Sequence, residues 1–209
     1  SRLQTEAMAL TGVPMPDHPG CVALMVLEVG ASSRLCATLH EGEPIVLMGP
    51  TGKPTDIPHN GTLLVAGGRR GAAVMASLGP ALRQAGNRVL YFAGFRAADE
   101  VYLLDELEHA ADVVVWCTAS GPAISPRRPQ DRAMSGDFID IVARYAEGAL
   151  EPHGLVPAIQ LANIDRILAI GSERLLRRVQ AELHGRLKGY FPKDVKAIGS
   201  VGSPMQCML

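Results

Sequence analysis

Cysteine is scarce and scattered in this chain. There are four among 209 residues, Cys21, Cys36, Cys117 and Cys207, and no two of them form a CxxC pair. A disulfide framework is therefore not written into the sequence, and a reducing, cytoplasmic setting follows from that usage. Cys21, Cys36 and Cys117 sit in apolar surroundings and read as small buried hydrophobes. Long apolar runs are also missing. The longest, from Cys21 to Leu27, falls far short of the ~18 residues that mark a membrane span. Charge of one sign is missing as well: 20 basic residues face 21 acidic ones, for a net charge of −1, which leaves no chain-wide basic footprint for nucleic acid. No signal-peptide pattern opens the chain. HExxH, GxSxG and a P-loop lysine are all absent, and no nucleophile–base pair stands out.

What is present is globular: 47% apolar and 20% charged residues are the proportions of a packed domain. The length allows one large domain, or one and a fragment. The chain starts at Ser1 without methionine and stops at Cys207-Met208-Leu209, so a piece of a longer protein is the expectation.

The first sixty residues predict a strand over Cys21–Val29, a short helix capped by Ser32 or Ser33 and running to Leu39, and a strand over Pro44–Met48. From there the pattern changes to alternation. Strands are predicted over Thr62–Ala66, Arg88–Ala93, Asp112–Cys117, Ile164–Ile170 and Val195–Ile198. Helices are predicted over Ala72–Gln84, Asp99–His109, Gly136–Ala149 and Ser172–Leu183, with a polar loop over Thr118–Ser135. Near-continuous apolar strands separated by helices mean a parallel sheet covered on both faces. The fold class is α/β, a doubly wound parallel sheet from about residue 60, preceded by the tail of a separate β-rich unit.

In such a sheet ligands bind at the carboxyl ends of the strands. The most informative of these ends is Gly67-Gly68-Arg69-Arg70-Gly71, where glycines let a pyrophosphate approach the backbone and the following helix offers free N–H groups. A tight turn without a ligand is the alternative, since G-x-G-x-x-G is not matched. Arg96, after the second strand, stands where a basic side chain meets an adenine-ribose phosphate, or is simply solvated. Gly171-Ser172 opens the helix after the fourth of these strands, with Ser172 either a ligand contact or a plain N-cap. Arg127, Arg128 and Arg132 form a basic loop that reads as solvated surface, or as a contact for an anionic partner or for cofactor phosphates.

Six segments in order carry a resemblance. They are Val29-Gly30-Ala31-Ser32-Ser33, Gly49-Pro50-Thr51-Gly52, Leu64-Val65-Ala66-Gly67-Gly68, Tyr91-Phe92-Ala93-Gly94-Phe95-Arg96, Ala169-Ile170-Gly171-Ser172 and Ser203-Pro204-Met205-Gln206-Cys207-Met208. Their order and spacing resemble the ferredoxin–NADP reductase superfamily, on the branch of the dihydroorotate dehydrogenase electron-transfer subunit and the fused glutamate-synthase-like oxidoreductases. The resemblance implies a partial FAD-binding β-barrel domain over 1–58, an NAD(P)-binding α/β domain over 59–200 and the start of a [2Fe–2S] segment over 201–209. It implies that Gly30, Ala31, Ser32 and Ser33 meet the flavin pyrophosphate and that Gly67, Gly68 and Gly71 form the dinucleotide turn. Gly171, Ser172 and Glu173 would lie near the nicotinamide, and Cys207 would be the first cluster cysteine, the other three lying beyond Leu209. The sequence departs from that pattern where Arg69 and Arg70 precede Gly71, where Ser172 replaces a frequent proline, and in lacking Arg-x-Tyr-Ser.

The implied function is an oxidoreductase module that binds NAD(P)H and passes electrons through FAD to an iron–sulfur centre, within a larger protein. Its partners would be a nicotinamide nucleotide and a redox domain or subunit, with no nucleic acid and no membrane span. The cofactors then carry the chemistry, which accounts for the missing acid–base residues. A non-catalytic nucleotide-binding or partner-docking domain is the alternative.

Overall fold

The computed structural model describes residues 10, 12–15, 18–26, 28, 30–49, 55–152 and 155–201. The chain divides into two compact units at the junction of Asp56 and Ile57. In the first unit β1 (Gly12–Pro14) pairs antiparallel with β2 (Val22–Leu24), and α1 spans Ala31–Cys36. Of the strand expected over Cys21–Val29, the described residues form only Val22–Leu24. Pro44–Met48 is no strand at all. Its apolar run has no partner strand among the described residues, and Ile45, Val46, Leu47 and Met48 are exposed. Cys21 is exposed and Cys36 half-buried, contrary to the expectation; of the three, only Cys117 is buried.

The second unit is the alternating one. Its strands are β3 (Thr62–Gly68), β4 (Arg88–Phe95), β5 (Val113–Thr118), β6 (Arg132–Ser135), β7 (Arg166–Gly171) and β8 (Lys196–Val201). Its helices are α2 (Arg69–Gln84), α3 (Leu104–Ala110), α4 (Phe138–Ala146) and α5 (Glu173–His184). All six strands are parallel, in the order β6-β5-β4-β3-β7-β8. The chain lays down β3, β4, β5 and β6 in one direction, then returns to place β7 on the other side of β3. That reversal is the topological switch point of a doubly wound sheet.

The apolar runs explain the layering. Every residue of β5 is buried, as a central parallel strand requires. Alternate side chains go to opposite faces. Leu64, Ala66, Leu90, Phe92, Val113 and Val115 share a core with Ile139, Ile141, Val142 and Val179 of α4 and α5. Leu63, Val65, Val89, Tyr91 and Trp116 have the opposite parity and are equally buried. α2 packs on β3, β4, β7 and α3.

At the amino edge of the sheet, three aspartates complete what the ladder leaves open. Asp165 Oδ2 accepts from Thr62 N–H at 2.7 Å, Asp112 Oδ2 from Val89 N–H at 2.8 Å and Asp131 Oδ1 from Val114 N–H at 2.8 Å. Each meets a backbone donor at a strand's start, where an unpaired group would otherwise cost free energy.

The arginine loop is spent internally. Arg127 pairs with Asp105 and Glu108, Arg128 with the buried Asp131, and Arg132 with Glu151. The anionic-partner reading of this loop therefore gives way to intramolecular ion pairing. Part of the expected loop is β6, a half-buried strand that the sequence does not announce because Arg-Ala-Met-Ser is short and mixed in polarity.

Helices α2 and α3 meet at Gly79, where a Cβ would lie 2.3 Å from Ala110 Cβ and 2.7 Å from its carbonyl oxygen. Gly79→Ala improves helix propensity by ~1 kcal/mol, but overpacking there costs about 1–3 kcal/mol. The expected outcome is a lower melting temperature, and an unchanged or raised one contradicts this packing. The carboxylate of Asp137 gives a pH signature. Burial works against its charge, but Arg178 and the backbone N–H groups of Asp140 and Ile139 hold its pKa below the ordinary value. A depressed carboxylate contributes stability above its unfolded pKa and loses it as pH falls through the folded one. Asp137→Asn is therefore expected to be destabilised at neutral pH, with the deficit shrinking in acid denaturation curves below about pH 4.

Candidate functional site

The carboxyl edge differs from the amino edge. β3 runs to Gly68 and α2 begins at Arg69, so the glycine-rich segment is a direct strand-to-helix junction and not a loop. Arg69 and Arg70 are the first two helical residues. Gly67 pairs in register with Ala93 on one side and Ile170 on the other, and Gly68 pairs with Gly94. The junction therefore sits at the switch point between β3 and β7.

Gly71 is required there by close approach, and Gly67 is crowded. A Cβ on Gly71 would lie 2.8 Å from the Ile170 carbonyl oxygen, so the first turn of α2 rests directly on β7. A Cβ on Gly67 would lie 3.3 Å from the Tyr91 hydroxyl and 3.5 Å from Gly71 Cα. Gly68 differs from both: a Cβ there would make an ordinary 3.5 Å contact with the Gly94 oxygen. Gly68 is the N-cap, and as glycine it brings no capping side chain.

That matters by comparison with the other long helices. Asp137 caps α4 by accepting from the N–H groups of Ile139 and Asp140. Ser172 caps α5 by accepting from Leu175 N–H at 3.3 Å. The first turn of α2, at the switch point, has no side-chain cap. A helix of 16 residues presents unsatisfied donors and the positive end of its dipole at such a start, which is the arrangement that receives a phosphate.

The other expected residues of this unit gather at the same edge. Gly171 ends β7, Ser172 caps α5 and Glu173 opens that helix. Ser172 is thus engaged as a cap, and Glu173 pairs with Arg177 at 2.6 Å. Arg96 follows β4 with an exposed side chain, while its carbonyl accepts from Ser120 N–H at 2.9 Å and from the Ser120 hydroxyl at 3.0 Å. Arg70 is exposed on the first turn of α2.

Gly30, Ala31 and Ser33 lie at the start of α1 in the first unit. Gly30 N–H donates to Ser33 Oγ at 3.0 Å, and that hydroxyl donates to the Gly30 carbonyl at 3.1 Å. A Cβ on Gly30 would meet nothing within 4 Å, so the turn is open to an approaching group. The Ser32 side chain and the whole of Cys207 lie outside the described residues. Among the described residues no group of three or more His, Cys, Asp and Glu side chains could hold a metal ion.

Three participants were not legible in the sequence. Tyr91 is fully buried, and its hydroxyl, set beneath Gly67, has no hydrogen-bond partner. Burial, with smaller contributions from Tyr102 and Cys117, pushes its phenol far up. Tyr102 donates its hydroxyl to the Arg69 carbonyl, and burial also raises its pKa, opposed by Arg69. Glu100 faces the Arg69 guanidinium at 3.5 Å. Tyr91 reads in sequence as one more apolar strand residue, and Glu100 as one more exposed charge. A cavity of about 370 Å³ lies elsewhere, at the C-terminal end of α4 among Glu147, Val156, Leu161 and Tyr190.

No protein-family model matches the chain. The dihydroorotate dehydrogenase B (NAD(+)) electron-transfer subunit of Listeria monocytogenes is 34% identical over 191 residues, covering 90% of this chain and 65% of that protein. A homologue of that subunit from Thermotoga maritima is 30% identical over 111 residues, covering 53% of this chain and 39% of that protein. The chain thus spans from about two fifths to two thirds of the length of these curated relatives. Among solved structures, the NADH-dependent reduced ferredoxin–NADP oxidoreductase, described for flavin-based electron bifurcation, matches with a TM-score of 0.58 at 20% identity. That match covers 89% of this chain and 59% of the other, and is a likeness of fold. No helix among the described residues is long and apolar enough to cross a membrane. The chain is similar in sequence to the dihydroorotate dehydrogenase B electron-transfer subunits, and its fold is like that of the ferredoxin–NADP oxidoreductase.

Proposed function

We propose that this chain is the nicotinamide-nucleotide-binding part of an electron-transfer oxidoreductase, and that the pyrophosphate of NAD(P)H sits on the first turn of α2. The observation that carries this reading is the uncapped start of α2 at the switch point. The donors there have no side chain of their own, and Gly67 and Gly68 leave the backbone bare. Arg70 and Arg96 add exposed positive charge at neighbouring strand ends. Gly171, Ser172 and Glu173 border the same crevice from β7, on the side where the resemblance sets the nicotinamide.

The chemistry supplied by the bound groups is a hydride from the reduced nicotinamide, taken up by flavin and released as single electrons toward an iron–sulfur centre. The task of the chain's own residues is binding and orientation. The α2 donors fix the pyrophosphate, the close contact of Gly71 with Ile170 fixes the helix, and no side chain needs to exchange a proton. The open turn at Gly30 fits one contact of a flavin site. Cys207 is the residue that would begin a cluster site. The electron acceptor is a redox domain or subunit, as the names of the relatives imply.

Gly68→Asp tests the nucleotide site. Its backbone angles, φ −94° and ψ −163°, suit any residue, and an aspartate there caps α2, adding roughly a few tenths of a kcal/mol of stability over glycine. It also sets a carboxylate where the phosphate binds. Calorimetric titration is expected to give binding of NADH or NADPH to the native chain and about a tenfold or greater loss in the variant, with a melting temperature equal or higher. Unchanged affinity contradicts the site. The redox reading is tested by loading the chain with FAD and adding reduced nicotinamide without air. Bleaching of the flavin band is expected, and a nucleotide that binds without bleaching it contradicts electron transfer.

A further inference from the structure

The segment from Ala97 to Leu103 folds over the first turn of α2. It is anchored at its start, where the Arg96 carbonyl takes both Ser120 donors. It ends at Leu103, whose φ of +55° puts a γ-branched residue in the left-handed region, a conformation that costs free energy. Between those points it makes two contacts with Arg69: the Tyr102 hydroxyl on the carbonyl, and the Glu100 carboxylate on the guanidinium. The second contact is poor. At 3.5 Å it is an ion pair without a hydrogen bond, and Glu100 Oε2 is shut off from solvent with no hydrogen-bond partner. A buried acceptor left unsatisfied works against the arrangement that buries it. Beneath the same junction the buried Tyr91 hydroxyl is unpartnered too.

We propose that Glu100 is an internal competitor for a phosphate-binding Arg69. In the free protein the strap holds the Arg69 guanidinium in a weak carboxylate pair beside the α2 N-terminus. An incoming pyrophosphate offers that cation a stronger, hydrogen-bonded anion. Arg69 exchanges Glu100 for the ligand, and the strap is released together with the strain at Leu103. Glu100 thereby sets the affinity of the site for diphosphate nucleotides. This inference rests on the nucleotide site proposed above.

ADP is the probe, since it carries the diphosphate without the nicotinamide. Calorimetric titrations compare the native 209-residue chain with Glu100→Gln, Arg69→Gln and the double variant. Glu100→Gln is expected to tighten ADP binding about threefold or more, and Arg69→Gln to weaken it. In the Arg69→Gln background, removing the Glu100 charge is expected to gain nothing, because the two residues act through one contact. Equal gains in both backgrounds, or no gain with Glu100→Gln, overturn the proposal. Hydrogen exchange on the native chain gives a reading that needs no variant. ADP is expected to speed exchange at the Glu100 and Val101 amides, which close the turn on Ala97 and Ala98; unchanged or slowed exchange overturns strap release. If ADP binds none of the four proteins, the nucleotide site itself falls and this inference falls with it. That result is distinct from a native chain that binds ADP while Glu100→Gln binds no better.

Discussion

The rest of this architecture depends on how closely one helix start approaches one strand. β3 passes into α2 without an intervening loop, and Gly71 rests against the Ile170 carbonyl, where a Cβ would come within 2.8 Å. Any side chain at Gly71 lifts the helix off β7, because the obstacle is backbone and cannot rotate away. That contact fixes the helix axis over the switch point and aims its unpaired donors at the crevice outside the strands. The glycine N-cap completes the arrangement by leaving those donors uncovered.

The two edges of the sheet use charge in opposite ways. At the amino edge, carboxylates are consumed by strand donors and by the arginines of the β5–β6 connection. That edge is closed, electrically as well as sterically. At the carboxyl edge, α4 and α5 are capped by their own side chains while α2 is not. Arg70 and Arg96 are exposed there, and Arg69 is held only by a marginal pair. A chain of nearly zero net charge can therefore keep a local positive field there, because Arg83, Arg127, Arg128, Arg132, Arg177, Arg178 and Arg186 are each paired with a carboxylate.

The α/β unit was largely legible in the sequence because central parallel strands are apolar on both faces and their helices run long between glycines. Val113-Val114-Val115-Trp116 could hardly be anything else. β6 was not legible, since a short strand of mixed polarity at a sheet edge carries no periodic signal. Neither was the true start of α2: two arginines after two glycines look like a loop, and only the register of Gly68 with Gly94 makes the junction direct. The Pro44–Met48 run failed in the opposite sense. Apolar residues announce a strand, but a strand exists only with a partner, and none stands beside it among the described residues. The site glycines were visible by type and order. Their separate duties, packing at Gly71 and an uncapped helix at Gly68, needed the three-dimensional neighbours.

Amide hydrogen exchange on this chain, with saturating NADH and NADPH in turn, tests the central claim most directly. Nucleotide is expected to slow exchange in the first turn of α2, from Arg69 to Ala72, and at the start of α5, after Gly171. Slowing confined to the cavity at the C-terminal end of α4, or absent with both nucleotides, would contradict a nucleotide site at the β3–α2 junction.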